Sequence, residues 1–369
     1  MIRLSTIVRL FEAELLAQYH NSLLPSQVKA LAAMKACRTA ASPSMLAQCT
    51  DCDHQVLVPH SCGHRSCPHC QHHESQQWLE RQLQKLVPGQ YFLLTFTLPA
   101  ALRALAFGHQ RTLYTLMIQC AWQTVHSFAH NDKQLQGTPG AIAVLHTHSR
   151  RLDYHPHVHL VVPAAAIDAE KRRWRTKRSK GKRRYLFNHK ALAKVFRAKL
   201  LAAINGEGLA LPPRYAEKWV VDCKCVGFGE KALVYLGRYL YRGVIREKDI
   251  LACENGQVTF RYKDAKSKRT KTRTVSGAKF LWLILQHVLP KGFRRARNFG
   301  FLHPNSKRLI AVIQYLSGFD PKRALAFLKP RPDIKCPRCG APMKIIHTRI
   351  FPSLCASPPV PIAATAGVA

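Results

Sequence analysis

Asp153-Tyr-His-Pro-His-Val-His-Leu-Val-Val-Pro163 is the stretch that decides how this chain is read. In an extended strand successive side chains point to opposite faces, so His157 and His159 share one face and Val158 takes the other. The apolar continuation Leu160-Val-Val162 marks a central, mostly buried strand. Pro156 cannot donate to a ladder and sets His155 at the strand entrance. Two neighbouring imidazoles on a buried strand need a reason, and a bound metal ion supplies one. A third ligand is expected from the preceding strand, Ile142 to His148, where His146 and His148 repeat the same spacing; His146 is the expected ligand. Three histidines leave open positions for a phosphate oxygen, where an ion neutralises charge that develops at phosphorus.

Around this strand the chain alternates between segment types. Tyr91-Phe-Leu-Leu-Thr-Phe-Thr-Leu98 reads as a strand stopped by Pro99. Residues 5–35, with Pro25 as an interruption, and 74–86, 100–130, 191–201, 232–241 and 307–328 read as helices. Strands and helices thus both occur, and the expected fold class is α+β. In the helix over 232–241, Tyr235 and Tyr239 lie one turn apart, with Arg238 and Arg242 at the same spacing beside them. Tyr241 falls well around the helix from that pair. A phenol titrates near pH 10 and is a weak nucleophile until a nearby cation or a metal-bound phosphate activates it. Core packing is the bland reading of such a pair; the arginines and the histidines argue for more.

The chain carries 57 Lys plus Arg against 20 Asp plus Glu, a formal charge of +37, which points to a polyanionic partner. Hydrophobic residues at 47% exclude a mainly disordered chain. No apolar run reaches the roughly 18–20 residues of a membrane span, and no secretory signal is evident, so a cytoplasmic location is expected. From Lys171 to Arg184, ten of fourteen residues are basic, and from Arg261 to Arg273, seven of thirteen. Both runs read as charged tips of hairpins that grip phosphates, with Lys171, Arg172, Arg173, Lys182, Arg183 and Arg184 as contacts in the first.

Cys49-x2-Cys52 and Cys67-x2-Cys70, fourteen residues apart, have the spacing of a structural four-thiolate zinc site. Cys62 could replace one of the four, and Cys37, His60, His64 and His69 remain as donors for a second site. Cys336-Pro-Arg-Cys339 is half of a further zinc site, with His347 as a possible third donor.

Several stretches in this order carry a family likeness: Ser61-Cys-Gly-His-Arg-Ser-Cys-Pro-His-Cys-Gln71, Leu94-Thr-Phe-Thr-Leu-Pro99, His155-Pro-His-Val-His159, Tyr235-Leu-Gly-Arg-Tyr239, Val258-Thr-Phe-Arg-Tyr-Lys263 and His287-Val-Leu-Pro-Lys-Gly-Phe293. Together they resemble the HUH-type, two-tyrosine transposases of rolling-circle insertion sequences, the group with an N-terminal zinc-binding domain. The resemblance implies an HUH endonuclease-like central antiparallel sheet preceded by a small zinc-binding module. It implies His157 and His159 as ligands of Mg2+ or Mn2+, and Tyr235 and Tyr239 as nucleophiles that form 5′-phosphotyrosine links. The expected layout is a zinc-binding, DNA-binding module over 1–88, a catalytic domain over 89–305, a helical region with the Cys336–Cys339 knuckle over 306–352, and a disordered tail over 353–369. The expected partners are the single-stranded ends of a mobile element and its target, in a bacterial, nucleoid-associated setting, with self-association left open. Two rivals stand beside this expectation: a plasmid replication initiator or relaxase of the same chemistry, and a non-catalytic zinc protein that binds DNA.

Overall fold

The structure is a computed structural model that describes residues 2–67, 70–178, 185–241, 243–264, 267–328 and 333–351, without the side chains of Arg238, Tyr239, Tyr241 and Phe327. From the N-terminus, α1 (Leu4–Tyr19) and α2 (Pro25–Ala36) lead into β1 (Ser44–Cys49), β2 (Gln55–Pro59) and α3 (His72–Leu83). The middle of the chain runs β3 (Tyr91–Thr97), α4 (Arg103–Gly108), α5 (Gln110–Asn131), β4 (Thr138–His148), β5 (Tyr154–Pro163), β6 (Ala165–Asp168), β7 (Arg173–Thr176), α6 (His189–Gly206), β8 (Val221–Cys225) and α7 (Glu230–Tyr241). Then come β9 (Ile250–Glu254), β10 (Gln257–Lys263), β11 (Thr270–Ser276), α8 (Gly277–Leu285), β12 (Ala296–Gly300), α9 (Lys307–Leu316), β13 (Ile334–Lys335) and β14 (Pro342–Ile350).

The central sheet has the order β7-β6-β4-β5-β3-β8, and β12 joins it along β4. All of its pairings are antiparallel. The expected α+β class with a central antiparallel sheet is therefore what the chain forms. Strand β5 lies between β4 and β3, as its uninterrupted apolar run requires. Its alternation divides two cores. Val158, Leu160 and Val162 face one layer with α5 and α6, whereas Val161 faces the other with α3, α7 and α9. His157 and His159 share the face of Val161.

Helices α1 and α2 pack on α8 and β10, with Leu4, Ile7, Val8, Leu31 and Met34 against Phe260, Phe280 and Leu281. Gln27 adds a buried hydrogen bond from its Nε2 to the Leu285 carbonyl at 3.0 Å. The N-terminal helices are thus built into the body of the protein. Strands β1 and β2 join β13 and β14 in a separate four-stranded sheet, ordered β13-β14-β1-β2, so residues 44–59 meet residues 334–350 there.

Both basic runs fall at hairpins. Strands β6 and β7 pair with Asp168 opposite Arg173, and Lys171 and Arg172 sit in the turn between them. Lys182, Arg183, Arg184 and Arg242 lie outside the described residues, as does the tail from 352. The second run forms β10, β11 and the turn between them, but its ends have structural work. Arg261 pairs with Asp249 at 3.0 Å, and Arg273 pairs with Asp153 at 2.8 Å. The helix expected over 307–328 ends at Leu316, because Gly318 takes a left-handed φ of +61° and Pro321 starts a 3-10 helix. No described helix is long and apolar enough to cross a membrane.

Candidate active site

The pairing of β4 with β5 puts His146 directly across from His157 and Val144 across from His159. Paired residues point to the same face, so three imidazoles converge there. One ring nitrogen from each of His146, His157 and His159 can be chosen so that all three lie within 4.8 Å of one another. Ring centroids are 4.4 Å apart for His146 and His159, and 5.2 Å for His146 and His157. Beyond His146 the register shifts, and His148 pairs with Tyr154. This bulge at His155-Pro156 separates the two other histidines from the trio. The His148 ring lies 5.5 Å from that of His287, tilted by 60°, and His155 Nδ1 lies 2.6 Å from the Arg103 guanidinium.

The hydrogen bonds of the trio prepare it for an ion. His157 Nδ1 is 2.7 Å from the His155 carbonyl, which can only accept, so Nδ1 carries the proton and Nε2 presents its lone pair. His159 Nδ1 is 2.9 Å from Thr95 Oγ1 on the neighbouring strand β3, which leaves its Nε2 toward the trio when Nδ1 donates. Burial pushes the His146 and His159 imidazoles well below their ordinary range, and their like-charged neighbours add to this. Burial also pushes His157 down to about 4. All three are neutral near pH 7, the form that ligates metal. Three nitrogen donors fit Mn2+ better than the harder Mg2+, which prefers an oxygen shell.

Helix α7 brings a tyrosine to this face. Ala232, Leu233, Leu236 and Leu240 are buried against the sheet and α3. Tyr235, off that stripe, is 38% exposed, and its ring lies 6.4 Å from that of His159. Gly229, just before the helix, has a φ of +101°, and a Cβ there would come within 2.9 Å of Leu86 and the Tyr91 ring. The helix can therefore start close over β3 only from a glycine. Tyr239 occupies the next turn of the same helix.

Sequence reasoning missed three residues that hold this arrangement. Arg295 accepts at its carbonyl from the Leu145 amide at 2.9 Å, beside His146. Its guanidinium donates to the Leu240 carbonyl at 3.1 Å, in the last turn of α7, where a cation is favoured by the helix dipole. One residue thus ties the histidine strand to the tyrosine helix. His287 Nε2 donates to the Leu152 carbonyl at 3.0 Å, and Arg273 donates to the Arg151 carbonyl at 2.6 Å. Together they fix the β4–β5 turn, where Leu152 takes a left-handed φ of +68°. Nothing in local periodicity marks these residues. The His287-Val-Leu-Pro-Lys-Gly-Phe293 stretch pointed only to the neighbourhood.

A cavity of about 1090 Å3 opens along the β12 edge. Arg81, Lys85, Arg111, Arg294, Arg297 and Lys307 line it, and no carboxylate does among the described residues. Those cations come from four separate segments, so no run in the sequence announces them.

The cysteines are grouped differently from the expectation. Cys49 and Cys52 do not share a cluster with Cys67 and Cys70. Cys37, Cys62, Cys67 and Cys70 form one group, with Sγ–Sγ separations of 3.5 Å for Cys62–Cys70 and 3.6 Å for Cys37–Cys70 and Cys67–Cys37. Cys49, Cys52, Cys336 and Cys339 form the other. The reason is β1, which carries Cys49 into the β13-β14-β1-β2 sheet and away from the 62–70 loop. His60, His64 and His347 belong to neither group. Around a tetrahedral zinc with Zn–S of about 2.3 Å, sulfurs stand about 3.8 Å apart, close to these separations. Bonds from its thiol neighbours, Cys62 first, bring Cys37 down to about 7, while the same crowding pushes Cys67 up, so a cation is needed to hold all four as thiolates.

Two family models match the chain. One, described as "Transposase zinc-binding domain", covers residues 7–98, and the other, described as "Putative transposase", covers residues 140–309. The chain is 35% identical over 306 residues to "Putative transposase y4qJ" of Sinorhizobium fredii, spanning 77% of this chain and 76% of that protein. It is 29% identical over 325 residues to the transposase for insertion sequence element IS801 of Pseudomonas savastanoi pv. phaseolicola, spanning 79% and 76%. Among solved structures, the conjugative relaxase TrwC in complex with mutant OriT DNA is similar over 62% of this chain and 74% of that one, with a TM-score of 0.28 and 14% identity.

Proposed function

The chain belongs to the insertion-sequence transposases of the IS91/IS801 kind, and from that premise we propose that it cuts and rejoins single-stranded DNA by tyrosine transesterification at the histidine face of the central sheet. The observation that carries this reading is the meeting of Tyr235 with the His146–His157–His159 trio, 6.4 Å from ring to ring at His159.

His146, His157 and His159 would hold a divalent ion, with Mn2+ the better fit. When bound, that ion supplies a positive charge that draws a phosphate oxygen to the site and offsets charge developing in the transition state. The remaining work falls to the protein. The Tyr235 hydroxyl loses its proton, and its oxygen forms a bond to the scissile phosphorus. The bond from phosphorus to the 3′-oxygen of the preceding nucleotide breaks, and that oxygen leaves as a hydroxyl after taking up a proton. The product is a 5′-phosphotyrosine and a free 3′-hydroxyl, so the energy of the phosphodiester is kept. Attack by a 3′-hydroxyl on the phosphotyrosine reverses the chemistry and joins strands. Tyr239, one helical turn on, is proposed as the second nucleophile, so that donor and target strands can each be held covalently.

DNA is expected to enter over basic surfaces. Lys171, Arg172 and Arg173 at the β6–β7 turn, the cationic cavity along β12, and Arg238 and Arg242, which neighbour the tyrosines in sequence, are the proposed phosphate contacts. Structural zinc belongs with the thiolate-bearing segment that the zinc-binding family model matches. In this division residues 89–305 carry the chemistry, and the segments 1–88 and 306–352 carry the thiolates.

Incubation of the protein with single-stranded DNA and Mn2+ should give a protein–DNA adduct, mapped by mass spectrometry to Tyr235 or Tyr239. Tyr235→Phe with Tyr239→Phe should abolish both adduct and nicking; nicking that survives the double change would sink the mechanism.

A further inference from the structure

We propose that Cys49, Cys52, Cys336 and Cys339 bind one Zn2+ as a discontinuous site that clasps the C-terminal strand β14 to the N-terminal hairpin. The two family models end at residues 98 and 309, so neither contains Cys336 or Cys339. The four sulfurs nonetheless sit where one tetrahedral ion would hold them. Cys49–Cys339 and Cys339–Cys52 are 3.5 Å apart, and Cys52–Cys336 are 3.6 Å apart. A disulfide would need about 2.05 Å, so these are not bonded pairs.

The backbone around them is also arranged for thiolates. The Asp51 amide donates to Cys49 Sγ and the Arg338 amide to Cys336 Sγ, each at 3.4 Å. Both are the i+2 amide of a Cys-x-x-Cys turn, so the two knuckles repeat one geometry. An amide hydrogen aimed at sulfur stabilises its negative form and orients it as a ligand. Four soft thiolates within 4.8 Å of one another suit zinc, the usual ion of paired Cys-x-x-Cys knuckles.

The sheet that carries the site has little else to hold it. Among the described residues its core consists of four buried residues, Ala47, Cys49, Cys336 and Met343, with Val56, Val58, Ile334 and Ala341 partly buried against them. Strand β14 is mostly exposed, and β2 is exposed at Gln55 and Leu57. With a core this small, an ion at the four sulfurs would add a strong tie to the β1–β14 ladder. This site is separate from the group formed by Cys37, Cys62, Cys67 and Cys70, and from the histidine trio.

Metal content of the full-length protein tests the proposal. Cys336→Ser with Cys339→Ser should lower bound zinc by about one equivalent relative to the parent. Cys49→Ser with Cys52→Ser should lower it by the same amount, and all four changes together by no more. Unchanged zinc in the Cys336/Cys339 variant, a further loss in the quadruple variant, or iron in place of zinc would overturn it. The parent protein gives an independent reading if a variant fails to fold. With zinc bound, Cys49, Cys52, Cys336 and Cys339 should resist alkylation as a set and become reactive together on chelation, mapped by mass spectrometry. Rapid alkylation of Cys336 and Cys339 while Cys49 and Cys52 stay protected would also refute the site.

Discussion

The three imidazoles come from two adjacent strands joined by a single turn, His146 on one side and His157 and His159 on the other. The four sulfurs of the terminal sheet come from knuckles 284 positions apart. The first site is laid into a sheet buried on both faces, where strand register fixes its geometry before any ion binds. The second has almost no core beneath it and depends on its ion for shape. A site with rigid surroundings can hold ligands in a costly arrangement, with neutral, desolvated imidazoles crowded together, and use that readiness for chemistry. A site without surroundings can only use its ligands to hold itself. The contrast suits the first site to the proposed reaction and the second to holding the fold.

The largest expected effect separates these roles. His157→Ala should lower nicking of single-stranded DNA by more than about 100-fold, since it removes a ligand rather than the outer-shell partner whose loss already costs 10–100-fold. Its melting temperature should fall only slightly, because the lost hydrogen bond to the His155 carbonyl and the vacated space are offset in part by relief of the crowded imidazoles. Cys62→Ser in the first thiolate group should do the reverse. It should lower the melting temperature and zinc content, while nicking per folded molecule stays near the parent value. Thermal unfolding and single-turnover nicking on both variants decide this, and a His157→Ala protein that unfolds like the cysteine variant would erase the distinction.

A smaller effect sharpens the histidine side. Thr95→Val keeps the shape of the β3 side chain and removes the hydroxyl 2.9 Å from His159 Nδ1. Mn2+ affinity, measured by calorimetry, should fall by roughly 10–100-fold with the fold intact. Unchanged affinity would show that strand register alone orients His159.

The smallest effect concerns neither site. Changing Lys171, Arg172 and Arg173 to Ala should weaken binding of single-stranded DNA modestly. The slope of log affinity against log salt should fall by roughly 2, at about 0.7 for each lost phosphate contact. An unchanged slope would remove the β6–β7 turn from the DNA path.

Legibility in the sequence followed the same divide. Strands β3, β4 and β5 and the helix with Tyr235 could be read because their patterns are local, apolar alternation and helical spacing within a dozen residues. A nearby third histidine was within reach because β4 and β5 are sequence neighbours, although only the bulge at His155-Pro156 brings His146 rather than His148 beside His157 and His159. The cysteine partition was not legible. Cys49-x2-Cys52 and Cys67-x2-Cys70 have a sound zinc spacing, and nothing local says that each pair takes other partners. Strand β12 escaped notice because Ala296-Arg-Asn-Phe-Gly300 shows no apolar alternation, being an edge strand under a cationic cavity. Arg295 and His287 escaped because their work is done on carbonyls far off in sequence.

The pairing of β1 with β14 also sets a schedule. A ribosome delivers Cys52 about 284 residues before Cys336, and at roughly 5–20 residues per second that is an interval of about 15–60 s. Throughout it the β1–β2 hairpin has an open edge and two thiols with no partners, while every strand of the central sheet is emerging behind it. The strands of the central sheet all leave the ribosome before β13 and β14, so the terminal sheet cannot close until after they have been made.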